Sequence, residues 1–143
     1  MVCSVYLALA LQSQAFFGAP QQAVLFENLN RVRIERGLSP LQLDSRLSGV
    51  AETHARDMAE YDFFTHESRD GRTPYDRMRN GGIRFRFAGE NIAMAPSASI
   101  ASDALYKSAS HRDNMLDPQY HRVGIAVSKR ADGELFFVED FSD

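Results

Sequence analysis

Three short stretches hold the side chains best suited to chemistry: Phe63-Phe64-Thr65-His66-Glu67-Ser68, Gly89-Glu90-Asn91-Ile92-Ala93, and Ser108 to Leu116 with His111 inside it. An unperturbed imidazole titrates near ~6.5, so a small change of surroundings decides whether His66 or His111 is a cation, a proton shuttle or a metal ligand. Two neutral imidazoles and one carboxylate form an incomplete shell for a divalent metal such as zinc, with water completing it. The same groups could supply a His–Glu general base against an amide or ester. They could equally form a hydrogen-bonded cluster that fastens loops, with Glu90 accepting from a histidine and Asn91 bonding loop backbone. Spacing does not choose among these, because His66 and His111 are 45 residues apart and no His-Glu-x-x-His helix is present. Neither Ser108 nor Ser110 has the neighbours of a nucleophile elbow, and no acid stands out to orient His111 as a triad requires.

The elements that must position these groups follow from periodicity. Leu25, Leu29 and Val32 recur at helical spacing from Gln21 until Gly37 stops the helix. Leu38 to Leu43 is an extended connector, since a residue before proline is pushed out of the α region. Asp44 caps a second helix whose apolar side reads Leu47, Val50, Ala51, His54, Ala55, Met58, which makes His54 a core histidine rather than a ligand. His66 follows in a polar turn, wedged by Phe63-Phe64, and Glu67 reads as a solvated turn acid. Thr73 and Pro74 start a short helix that ends at Asn80-Gly81-Gly82. Ile83, Phe85 and Phe87 alternate with Arg84 and Arg86 as an extended segment leading to Glu90. Ser97 to Ser99 precede a third long helix with Ile100, Ala101, Ala104 and Leu105 on one side, and that helix is expected to end in a loop bearing His111. Val123, Ile125 and Val127, then Asp132-Gly133, then Leu135 to Phe141 form a hairpin. Helices followed by a terminal hairpin predict an α+β fold, helices covering an antiparallel sheet.

The 143 residues suit one domain, and 44% hydrophobic with 24% charged residues is ordinary globular composition. A net charge of −3, with 14 Arg and 2 Lys scattered among 19 acids, offers no nucleic-acid-binding stripe. Met1 to Pro20 contains no Lys, Arg, Asp or Glu, and Val2 to Leu11 has the length of a signal-peptide apolar core. Residues 1–20 are therefore expected to be a signal peptide, or failing that an ordered N-terminal extension, with residues 21–143 as the domain. The run is too short for a membrane span. The single cysteine, Cys3, lies in that segment, so no disulfide framework is open to a processed chain, which suits a bacterial envelope or extracellular protein.

With these residues in hand, the chain resembles the CAP superfamily of cysteine-rich secretory proteins, antigen 5 and pathogenesis-related proteins, in its short bacterial SCP-like form. The resemblance rests on Leu29-Asn30-x-x-Arg33, Gly37-Leu38, Ala55 to Ala59, Phe64-Thr65-His66, Asp76-Arg77, Gly89-Glu90-Asn91, Ser108-x-x-His111-Arg112-x-Asn114-Met115-Leu116 and Val123-Gly124-Ile125-Ala126. It implies a three-layer α-β-α sandwich with a central antiparallel sheet, and a cleft holding two histidines and two acids. His66 and His111 match the histidines, the metal ligands the resemblance implies. Glu90 matches the acid of the Gly-Glu-Asn turn and supports them. The second acid of the pattern does not transfer, since Tyr106-Lys107 stand where it would be, and Ser108-Ala109-Ser110-His111 replaces the usual Ser-Pro-Gly-His. The function so implied is that of a secreted module binding a small ligand, lipid, glycan or protein partner. A metal- or His/Glu-dependent hydrolase and a structural envelope protein with a vestigial cleft are the alternatives.

Overall fold

A computed structural model describes residues 20–143. The signal-like segment, apart from Pro20, lies outside the described residues. The elements in order are α1 (Pro20–Glu35), β1 (Gln42–Leu43), α2 (Ser45–Tyr61), α3 (Pro74–Asn80), β2 (Ala88–Ala95), α4 (Ala98–Lys107), α5 (Ala109–Met115), β3 (Arg122–Lys129) and β4 (Leu135–Ser142). The strands form one sheet in the order β1-β3-β4-β2, antiparallel across β3, β4 and β2, with the two-residue β1 joining β3 in parallel.

Alternation along the strands sorts the side chains into two cores. Val123, Ile125, Phe137, Phe141, Ala93 and Ala95 face α1, α4 and α5. Ala126, Phe136, Val138 and Ile92 face Ala51, Ala55, Met58 and Ala59 of α2. This is the α-β-α sandwich, with the sheet as the middle layer. Phe136, Phe137 and Phe141 are fully buried, and each such ring contributes roughly 1.5–3 kcal/mol by leaving water. Gly124 lets α2 sit directly on β3, because a Cβ there would run into the Leu47 carbonyl carbon and the Ser48 nitrogen.

The helix boundaries follow their local chemistry. Asp44 accepts from the amides of Arg46 and Leu47, and Thr73 and Asp76 form a reciprocal capping box with Pro74 at the first helical position. Gly37 takes a φ of 74° as α1 ends, and the Leu38 amide closes back on the Arg33 carbonyl.

Four details depart from the sequence reading. Gly89-Glu90-Asn91 is not a turn but lies inside β2, paired with Phe141, Asp140 and Glu139. His111 is not in a loop but in α5, after the Ser108 cap residue. The alternating run Ile83 to Phe87 is irregular, and the strand starts only at Ala88. Ile100 and Ala104 face solvent, while Ala98 and Ser102 join Ala101 and Leu105 on the buried side of α4. The first two share a cause: Gly, Glu, Asn, Ser, His and Asp are poor strand or helix formers, and long-range pairing overrides that preference.

Candidate functional site

β2 is the edge strand, and the candidate site is built around its first residues. Glu90 points toward the α2 layer. Its side chain is 1% exposed, yet both oxygens are engaged: Oε1 accepts from His66 Nδ1 at 2.8 Å, and Oε2 accepts from Arg77 Nη2 at 2.5 Å. Since an ionised carboxylate only accepts, Nδ1 of His66 carries a proton, and the neutral form of that ring has its lone pair on Nε2. The His66 side chain is 48% exposed, so the pair has a buried acid and an accessible imidazole.

The turn that delivers His66 is held from two sides. His54, buried in α2, donates from Nε2 to the Thr65 carbonyl at 2.9 Å. Burial first, then the charge of Arg77, pushes the His54 pKa below the ordinary imidazole value, so His54 is a neutral core group as its helical position implies. Arg77 donates from Nη1 to the His66 carbonyl at 2.7 Å and to Ser68 Oγ at 3.1 Å. Arg77 therefore fixes the backbone of His66 and the carboxylate its ring addresses at the same time.

Asp140 stands directly across from Glu90 in the β2–β4 register. Neither Asp140 oxygen has a hydrogen-bond partner among the described residues. Burial, then the Glu90 charge, raises the Asp140 pKa well above the usual range. Burial works to raise Glu90 as well, but the bond from His66 and the Arg77 charge outweigh it and hold Glu90 low.

The other face of β2 carries a second network. Asn91 is fully buried; its Nδ2 donates to the His111 carbonyl and to Glu139 Oε2, both at 3.1 Å. Asn114 Nδ2 donates to Asn91 Oδ1 at 3.0 Å and to the Glu90 carbonyl at 3.3 Å. These bonds dock α5 on the strand. His111 itself, half-buried, shares a 2.7 Å hydrogen bond between Nδ1 and Ser108 Oγ. Burial, then the nearby His66, lowers its pKa. The structure thus brings His66 onto Glu90, while His111 flanks the same strand end from the opposite layer and makes no side-chain hydrogen bond to either. No carboxylate of the described residues contacts His111, so a Ser108–His111–acid triad is not assembled. Glu67 is exposed, and no side-chain hydrogen bond joins its carboxylate to either network.

Arg77, Asp140 and Glu139 were not read as site residues from the sequence. A signal for the acids was present: Glu139-Asp140 interrupts the apolar run Leu135 to Phe141, and in a central strand both must be buried. Arg77 offered only its place beside Asp76.

This arrangement has relatives. The profile of the cysteine-rich secretory protein family, CAP, matches residues 26–141. The chain belongs to the CAP family. It is 36% identical over 100 residues to the uncharacterized protein YkwD of Bacillus subtilis, a match covering 69% of this chain and 39% of that protein. An extracellular SCP-domain protein of Bacillus anthracis has a similar structure, with 30% identity and a TM-score of 0.76 over 85% of this chain and 40% of that one. An outer surface protein of Borrelia burgdorferi shares the fold, with a TM-score of 0.80 at 24% identity, over 86% of this chain and 92% of that one. The CAP chain thus spans about two-fifths of the two Bacillus proteins. Among the described residues, no helix is long and apolar enough to cross a membrane.

Proposed function

We propose that this CAP domain is a binding module of a secreted or surface protein. Its cleft lies over the start of β2, and a divalent metal such as zinc is held there by Nε2 of His66 and of His111. The observation that carries the reading is the 2.8 Å bond from His66 Nδ1 to buried Glu90. A carboxylate behind an imidazole fixes its tautomer and raises its basicity, the usual outer-shell arrangement of a ligating histidine. Glu90 supports rather than ligates, because both its oxygens are spent. In the tautomer whose Nδ1 donates to Ser108 Oγ, His111 likewise keeps Nε2 free. No group of three ligating side chains occurs among the described residues, so water or the bound molecule supplies the remaining donors. Such open positions suit a site that takes an exogenous ligand: a small molecule, lipid, glycan or protein segment. Export is supported by the apolar, uncharged Met1 to Pro20 and by the extracellular B. anthracis relative.

Calorimetric titration of zinc into wild type, His66→Ala, His111→Ala and His54→Ala tests the reading. Binding should need both His66 and His111, survive in folded His54→Ala, and fade as pH falls through the histidine range, because proton and metal compete for one nitrogen. Unchanged binding in either cleft variant would overturn it. A hydrolytic reading draws on the same His66–Glu90 dyad, which has the geometry of a general base and its orienting acid. Turnover on an ester and amide panel that is lost in His66→Ala would favour it.

A further inference from the structure

Arg72 to Arg86 carries five arginines and one acid, Asp76, in a chain whose net charge is −3. The cleft uses only Arg77 of this set. α3 and the turn before it fold against one flank of α2 and border an open pocket of about 380 Å³, lined by Arg46, Thr53, Asp57, Ser68, Arg72 and Arg77 among others. The α2 wall is the stripe Arg46, Gly49, Thr53 and Asp57, at helical spacing and beside the buried stripe of Leu47, Ala51, His54 and Met58. Two glycines shape the space. At Gly81 a Cβ would lie 2.6 Å from Val50 Cγ2, so only glycine lets the end of α3 come this close to α2. At Gly49, which lines the pocket, a Cβ would meet nothing within 4 Å.

The lining is cationic in a way its internal pairings do not cancel. Arg77 is matched by Glu90 behind the wall. Arg72 pairs only with exposed Asp70, a contact that water competes with. Arg46 has no ion pair among the described residues, and Asp57 is the one acid on the lining. Ser68 Oγ accepts from Arg77, which leaves its own hydrogen free to donate. Planar guanidinium forks match the oxygens of a carboxylate or phosphate, and a concave site of this volume suits a small molecule.

We propose that this pocket binds a small ligand through an oxyanion, a carboxylate or a phosphate, clamped by Arg46 and Arg72 with Ser68 donating. The site is separate from the cleft histidines, and it stands whether or not they hold a metal.

The test is amide chemical-shift titration of the full domain with inorganic phosphate and, separately, with acetate, against chloride at matched ionic strength. Saturable shifts at Gly49, Ser68 and Gly81 are expected with at least one of the two, and the one that saturates names the group. Affinity should fall at least tenfold in Arg46→Gln/Arg72→Gln. It should fall as far in Gly49→Leu, which fills the pocket without touching the core and should melt no lower than wild type, since glycine is a poor helix residue. Linear shifts with both anions, or saturation unchanged in both variants, would overturn the proposal.

Discussion

Glu90 is a buried charge that is tolerated because His66 and Arg77 each meet it. Removing it leaves Arg77 buried without its counter-ion, an outcome that typically costs about 3–5 kcal/mol. Glu90→Ala should therefore unfold at much lower urea concentration and weaken zinc binding at the proposed site. Glu67→Ala, beside His66 in sequence but exposed, should stay within about 0.5 kcal/mol of wild type. A larger loss from Glu67→Ala would mean that the wrong carboxylate has been assigned. Glu139 gives a pH signature of its own. Burial raises its pKa from 4.5 to about 7, against a smaller opposing effect of the Asn91 bond. A raised carboxyl binds its proton more tightly in the folded state, so its contribution is complete below about pH 4.5 and is lost as pH rises through 7. The shift corresponds to an upper bound on the order of 3 kcal/mol. Glu139→Gln should therefore gain stability relative to wild type as pH goes from 5 to 8, read as a widening difference in Tm. A constant difference would show that Glu139 does not titrate in this window.

At the scale of elements, the contact between α2 and β3 and the pocket-lining flank of α2 make opposite demands on two glycines. Gly124→Ala drives a methyl into the α2 backbone at Leu47 and Ser48, which cannot yield as a side-chain tip could. It should destabilise by about 3 kcal/mol or more. Gly49→Ala, on the same helix but facing open space, should stabilise by up to about 1 kcal/mol. Urea denaturation of the pair checks both signs at once. α5 is a contrasting case: seven residues of modest helix propensity persist because Asn91 and Asn114 tie them to β2, so the strand, more than the helix, sets where His111 stands.

Across the whole molecule, Arg33 does for the α1 layer what Arg77 does for the His66–Glu90 pair. It is 1% exposed and donates to four carbonyls, of Ser39, Met115, Asp117 and Tyr120. One guanidinium thereby joins the end of α1, the connector to β1 and the passage from α5 to β3. Arg33→Ala strands several buried carbonyls and should cost about 3 kcal/mol. Arg33→Lys should recover little, because a single ammonium cannot span acceptors that a planar fork reaches. Recovery of wild-type stability by lysine would show that charge alone matters there.

What could be read along the chain was whatever local rules govern. The helical stripes of α1 and α2, the caps at Asp44 and Thr73, the β3–β4 hairpin and the core position of His54 each depend on residues within a few turns of one another. The motif residues Asn30, Arg33, Asn91 and Asn114 were legible as a pattern, and the structure gives them work: Asn30, for one, holds the Leu41 amide and carbonyl at 2.8 and 3.0 Å. What only the tertiary structure decided is β2, whose partner lies some fifty residues further on, and everything that depends on it. The pairing of Glu90 with Asp140 and of Asn91 with Glu139 places acids on opposite faces of one strand end. No local propensity encodes that, because a strand acquires its faces, its burial and its shifted protons only when a distant partner closes the sheet.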